Sequence, residues 1–397
     1  MKVQLPDPGG AMKDWTLLPP LAEAREAVPP HFNRIVYAAA HIVAKPQGNG
    51  DARDPENVDW EATGAFREHL WRHGFGIAEA MDTAQREMLG WETSAHLLAQ
   101  TLNAASAQGL SSGRAVMGGA GTDSLPTESP TLTQIIDAYV FQAEYIHARG
   151  GRVILFPTAH LPARFPEPRH YVSVYRAVTA QVSRPVFLHW LGAMFAPQLR
   201  GYFPGESFWE IAADNPKVLG VKMSLLDQAA EEAARRRLAA QGQVVLTGDD
   251  FNYPDLIAGK DTPVQGPDLE WEGRRYPLGD YSHALLGIFD GIATVASRAL
   301  AALAAGDRQT YHRLMEPTVP LSRHIFCDPT RFYKAGLVFL AYLNGHQEQF
   351  HLLGGLEASR DISHYATLFR LANEAGVLAD PPRAYDRFAP ILHAAGF

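Results

Sequence analysis

At 397 residues, 46% hydrophobic, 20% charged and 10% aromatic, the chain has the composition of a folded protein with a large core, which excludes extended disorder. Its formal net charge of −8 comes from interspersed signs, and the one dense basic run, Arg235-Arg236-Arg237, follows Glu231-Glu232 as on a solvated helix face, so nucleic acid is not an expected partner. Cys327 is the single cysteine, which excludes an intrachain disulfide and a thiolate metal cage and fits a reducing, cytoplasmic setting.

In chain order, residues 1–33 carry Pro6, Pro8, Pro19, Pro20, Pro29 and Pro30 and read as an irregular N-terminal arm packed on the outside. The arm lacks the basic and apolar segments of a signal peptide, and no run of about 18 apolar residues follows, so no membrane partner is expected. From residue 34 a short apolar run, a polar turn and a stretch with apolar residues at helical spacing repeat. The strand-like runs are Arg34–Ala44, Gly74–Met81, Arg114–Gly119, Arg152–Pro157, Pro185–Leu191, Val218–Met223, Val244–Gly248 and His283–Phe289. Between them, segments such as Leu132, Ile135, Ile136, Tyr139, Val140, Ala143 and Ile146 place one apolar face against a sheet. Eight such units, with no Gly-x-Gly-x-x-Gly after the first strand, predict the α/β class and a (β/α)8 TIM barrel rather than an open doubly wound sheet. The expected division is an arm over 1–33, a barrel over 34–298 and a C-terminal helical appendix over 299–397. An insertion over 254–277, between strands seven and eight, reads as a lid or a surface loop.

A barrel's chemistry sits at the C-terminal ends of its strands, so polar residues that end apolar runs are the candidates. They are His41 after strand one, Glu79 and Asp82-Thr83 at strand two, Thr158 and His160 after strand four, His189 on strand five, Lys222 on strand six, Asp249-Asp250 and Asn252 after strand seven, and Asp290 after strand eight. Lys222 is the sharpest, since of seven lysines it alone sits inside an apolar strand. Desolvation lowers a lysine pKa and leaves free amine at neutral pH, the state that attacks a ketone or aldehyde. The competing reading is a buried ion pair with Asp249 or Asp250, or a packed stem with a snorkelling head. His189, one strand away, is a candidate proton shuttle or a hydrogen-bonded core histidine. Asp249, Asp250 and Asn252 are candidates for binding substrate hydroxyls, or for capping the next helix. Gly118-Gly119-Ala120-Gly121-Thr122-Asp123 reads as an anion-binding backbone nest or a flexible turn. No cofactor is called for; the alternative is a divalent ion such as zinc or manganese held by His41, Glu79, His160, His189 and Asp249.

Asn215-Pro216-Lys217-Val218-Leu219-Gly220-Val221-Lys222 with Asp227, Val245-Leu246-Thr247-Gly248-Asp249-Asp250, Gly287-Ile288-Phe289-Asp290-Gly291-Ile292-Ala293 and Val58-Asp59-Trp60-Glu61 resemble motifs of the dihydrodipicolinate synthase and N-acetylneuraminate lyase superfamily. The resemblance spans most of residues 34–345 and implies a class I aldolase-like barrel, a Schiff base on Lys222 and a homo-oligomer. Two departures touch the substrate: Met81-Asp82-Thr83-Ala84-Gln85 stands where the family has Gly-Thr-Thr-Gly-Glu, and His189 stands in place of the fifth-strand tyrosine. Asp82, in the first of these departures, would repel a 2-oxo acid carboxylate. The expected activity is therefore a lyase on a hydroxylated carbonyl compound, such as a keto-sugar or sugar-acid derivative. The rivals are a metal-dependent lyase or isomerase and a non-catalytic ligand-binding barrel.

Overall fold

The computed structural model describes residues 1–7, 9–21, 31–46, 51–126 and 129–397. The described residues form two compact units, one of 33–39 and 76–286, the other of 1–32, 40–75 and 287–397.

In the first unit eight parallel strands close into a barrel: β1 Val36–Ala39, β2 Gly76–Glu79, β3 Val116–Ala120, β4 Arg152–Leu155, β5 Val186–Leu191, β6 Val218–Ser224, β7 Val244–Thr247 and β8 His283–Leu286, with β8 pairing both β7 and β1. Six of the expected apolar runs contain one of these strands, and the other two, Arg114–Gly119 and Val218–Met223, stop one residue short of theirs. The six overshoot because burial continues past the hydrogen-bonded ladder: Ile42 and Val43 are buried beyond β1 without belonging to it. Helices intervene between the strands, and that over Leu132–His147 begins with a capping box, Thr131 and Gln134 each accepting the other's backbone N–H. Its buried residues include Ile135, Tyr139, Ala143 and Ile146, the face its spacing predicts.

Side chains alternate in and out along each strand. Tyr37, Ala78, Met117, Ile154, Phe187, Leu246 and Leu285 meet in one interior cluster, which fixes the phase of seven of the strands. The insertion contributes to that cluster and is not a lid. Its antiparallel hairpin, Leu269–Trp271 with Arg274–Tyr276, sends Leu269, Trp271 and Tyr276 inward. The Trp271 ring packs edge-on to Phe187, 5.4 Å away, and lies under Arg152, the first residue of β4; Arg152 also pairs with Glu272. The hairpin therefore closes the barrel at the N-terminal ends of its strands.

The second unit holds the C-terminal helices and an antiparallel hairpin of Lys2–Pro6 with Met12–Thr16, so the arm read as irregular is ordered over these residues; residues 22–30 of it lie outside the described ones. Asn373 fastens it, accepting from Trp15 Nε1 and Leu18 N and donating to the Leu18 carbonyl. The boundary drawn at 298/299 falls within one helix, Phe289–Ala304, which belongs to this unit. No helix among the described residues is long and apolar enough to cross a membrane.

Candidate active site

Strand β6 is built irregularly ahead of its lysine. Val186 pairs with Val218 but Phe187 pairs with Gly220, so Leu219 is an extra residue, a β-bulge. Leu219 packs against the interior cluster, and Gly220, at φ 154°, runs so close to β7 that an added Cβ would lie 1.9 Å from the Val244 carbonyl oxygen. After the bulge His189 stands in register with Lys222, each two residues beyond a member of the pair Phe187 and Gly220. Since Phe187 belongs to the interior cluster, His189 and Lys222 both face the barrel lumen.

Lys222 is 7% exposed. Burial holds its ammonium below the ordinary lysine range, and the carboxylates of Asp82 and Asp250 draw it partly back. His189 is fully buried; desolvation first, and the charge of Lys222 second, keep its imidazole far below the usual histidine range and therefore neutral. Its Nε2 lies 3.2 Å from Ser224 Oγ, while Nδ1 is buried without a partner. Gly248, the lumen-facing position after Leu246, makes room for these groups: a Cβ there would come within 2.2 Å of Ser224 Oγ and 2.8 Å of Lys222 Cε. The ring of Phe156, on from β4, stands 5.9 Å from that of His189.

An arginine organises the loops after β2 and β3. Arg86 donates to both Asp123 oxygens at 2.7 and 2.9 Å, to Gln142 Oε1, and to the carbonyls of Ala80 and Gly119. Gln142 Oε1 also accepts from Gly121 N at 2.6 Å, so the glycine run is tied to protein at that amide. Gly118 and Gly119 are glycines for packing: a Cβ would strike Leu98 and Ile146 at the first and the Phe156 ring at the second.

The remaining sequence candidates separate. Asp82 and Thr83 begin a short 3-10 helix after β2, with Asp82 close enough to act on Lys222. Thr158 Oγ1 lies 2.8 Å from Thr122 Oγ1, and its N–H donates to Tyr202 Oη, itself 2.9 Å from Tyr175 Oη. His160 opens a short helix, half-buried, its pKa lowered by burial and by Arg164. Asp249 serves its own loop, accepting from Phe251 N, Asn252 N and Asn252 Nδ2. That contact also engages the Asn252 amide, leaving Asp250 as the residue of this segment whose charge reaches Lys222.

The proposed metal ligands do not converge. Glu79 is one position past the inward Ala78, so it points outward, where it accepts from Thr101 Oγ1 at 2.6 Å and from Ala80 N. His41 belongs to the other compact unit, with its N–H and Nδ1 both on Asp290 at 2.7 and 2.9 Å. Among the described residues no three His, Cys, Asp or Glu side chains stand together as an ion would require. Sequence reasoning missed Ser224 and Arg86, and took Thr122 only as part of the glycine-rich segment. The signal for Ser224 was available: it lies two residues after Lys222 in one strand, hence on the same face.

A family model described as "Protein of unknown function (DUF993)" matches residues 3–397. No curated protein matches the sequence. Among solved structures, dihydrodipicolinate synthase from Rhodopseudomonas palustris is 12% identical with a TM-score of 0.60, over 88% of this chain and 100% of its own. A catalytic lysine mutant of the Ruminococcus gnavus sialic acid aldolase is 13% identical, TM-score 0.56, over 90% of this chain and 97% of its own. KD(P)GA from T. tenax is 17% identical, TM-score 0.54, over 89% and 99%. At these identities the likeness is one of fold.

Proposed function

We propose that this chain, which belongs to the DUF993 family of proteins of unknown function, is a lyase that takes a hydroxylated carbonyl compound, a keto-sugar or sugar-acid derivative, onto Lys222 as a Schiff base. The observation that carries this reading is a lysine amine buried in the lumen of a barrel shared with synthases and aldolases, beside a neutral histidine in register.

Burial shifts Lys222 toward the free amine, whose lone pair adds to the carbonyl carbon. The adduct forms with a proton on nitrogen and negative charge on oxygen; His189, neutral and adjacent, relays that proton from nitrogen to oxygen. A further proton from solvent, relayed through His189 onto the departing hydroxyl, releases water and leaves the iminium, which accepts the electron pair of the neighbouring carbon–carbon bond as it breaks, or of a carbon–hydrogen bond before dehydration. Asp82 and Asp250 supply acceptors for substrate hydroxyls, and their charges disfavour a carboxylate next to the reacting carbonyl, which argues against pyruvate.

Intact mass after borohydride reduction with dihydroxyacetone, D-fructose or pyruvate tests the reading. We expect a reduced adduct with a hydroxylated ketone, little or none with pyruvate, and none in Lys222→Ala. Absence of any adduct in the wild type, or an equal adduct in the variant, would sink it.

A further inference from the structure

The turn that brings Gly248 and Asp250 to Lys222 is held from outside the barrel. Thr247, the last residue of β7, points away from the lumen, since Leu246 before it points inward. Its hydroxyl oxygen accepts from Asp249 N at 3.2 Å and lies 3.0 Å from Glu231 Oε2, on the helix over Gln228–Ala239. The other Glu231 oxygen stands 2.6 Å from the hydroxyl of Ser282, one residue ahead of β8. On the lumen side of the same turn, Gly248 N donates to the Met223 carbonyl at 2.7 Å, and a Cβ on Gly248 would come within 2.8 Å of Lys222 Cε. The charge of Asp250 acts on the amine itself. One threonine hydroxyl therefore links a carboxyl in the helix layer to the segment packed on the lysine.

Glu231 is 2% exposed. It faces the hydroxyls of Thr247 and Ser282, the carboxylate of Asp249 and, one helical turn on, Arg235, whose guanidinium is held by Asp280 at 2.7 Å. Its neighbour Glu232 pairs instead with Lys260 and Arg236. Burial, with the Asp249 charge adding to it, pushes the Glu231 pKa up to about 8. A neutral carboxyl repels nothing, whereas a carboxylate there confronts Asp249 across the one hydroxyl that joins them. Strand β7 is fixed by its ladders to β6 and β8, so the turn is the part that gives.

We infer that Glu231 is a positioning residue for Lys222: neutral, it holds the Gly248–Asp250 turn against the amine through Thr247, and ionised, it drives that turn off and slows capture of a carbonyl. The capture half rests on the Schiff-base reading. The placement of the amine does not, and any small electrophile that reacts with a lysine reports it.

The test follows two reactions of Lys222 from pH 6 to 9.5 in wild type, Glu231→Gln and Thr247→Val: carbamylation by cyanate, read by peptide mass, and reductive trapping with dihydroxyacetone. Circular dichroism at each pH checks the fold. Dividing the wild-type rate by a variant's removes the rise that all three share as the amine loses its proton. Against Glu231→Gln we expect that ratio to fall about tenfold across the range, with its midpoint near pH 8, in keeping with a small misplacement of a reacting group. Thr247→Val keeps the carboxyl and cuts its link to the turn, so the ratio against it should fall in the same way. A level ratio there would mean that the charge acts through space, and it overturns the link. A level carbamylation ratio against Glu231→Gln overturns the positioning, and a falling one with level trapping overturns its bearing on capture. Falling carbamylation in a protein that forms no adduct with dihydroxyacetone counts against the Schiff-base reading alone. Should Glu231→Gln fail to fold, the Thr247→Val ratio decides by itself.

Discussion

Keeping a lysine amine where water is excluded costs folding free energy, and that cost makes a prediction independent of substrate. Because the Lys222 pKa is lowered in the folded chain, the unfolded chain binds the extra proton between the folded value and the ordinary 10.5. Stability should therefore rise with pH through that window. Lys222→Met, which keeps the stem and removes the charge, should raise the melting temperature near neutral pH by the equivalent of about 1–2 kcal/mol while abolishing trapping. A melting curve that falls instead would mean that Asp82 and Asp250 more than repay the desolvation. This lysine was legible in the sequence because a charge inside an apolar run demands a reason. Glu79 and Asp249 were misleading for the same cause, since a polar residue at a strand end looks alike whether it faces the lumen or the helices. Only the strand phase, set by Ala78 and Leu246, separates them.

Elements set that phase, and two of them yield tests. The bulge at Leu219 precedes the lysine, and Gly220 permits it by approaching the Val244 carbonyl. Gly220→Ala should destabilise the barrel by about 2–4 kcal/mol, since a Cβ at 1.9 Å must push whole strands apart, and denaturant unfolding monitored by tryptophan emission would register it. The second element is the helix over Gln228–Ala239, which is tied to β7 by Glu231. The hydroxyls of Ser282 and Thr247 stand 2.6 and 3.0 Å from its two carboxyl oxygens, and burial pushes its pKa to about 8 from an ordinary 4.5. A raised folded pKa means that this contribution is fully present below pH 4.5 and is lost as pH rises through 8. Glu231→Gln, a neutral isostere that can still donate to one oxygen and accept from the other, should flatten the loss of stability between pH 5 and 8. Melting temperatures of the two proteins across that range should diverge as pH rises; parallel curves would show the carboxyl to be ionised throughout. The eight strands were legible because each parallel strand, buried on both faces, reads as an apolar run. The bulge was hidden because one extra residue leaves composition unchanged.

At the scale of the whole molecule, the barrel divides stability from chemistry along its axis. The hairpin of the insertion fills the end where the strands begin, while Lys222, His189 and Ser224 lie toward the end where they finish. The sequence offered its length and its glycines, which suggest a lid or a surface loop, and its apolar residues, Leu269 and Trp271 at alternating positions of one strand and Tyr276 opposite Leu269 on the other, carry the opposite message: neither needs a tryptophan that is 3% exposed. If this division holds, Trp271→Ala removes the largest of the three and leaves a cavity against Phe187 and beneath Arg152, at a cost of about 3–5 kcal/mol. The same variant should trap dihydroxyacetone at Lys222 at the wild-type rate at a temperature where it is still folded, because the ring partners of Trp271, Phe187 and Arg152, stand at the beginnings of their strands. Unfolding in urea and borohydride trapping at 15 °C, run on one preparation, separate the two quantities. Lost trapping in a folded Trp271→Ala protein would show that the packing layer beneath the lysine transmits to it, and that the two ends of the barrel are one mechanical unit.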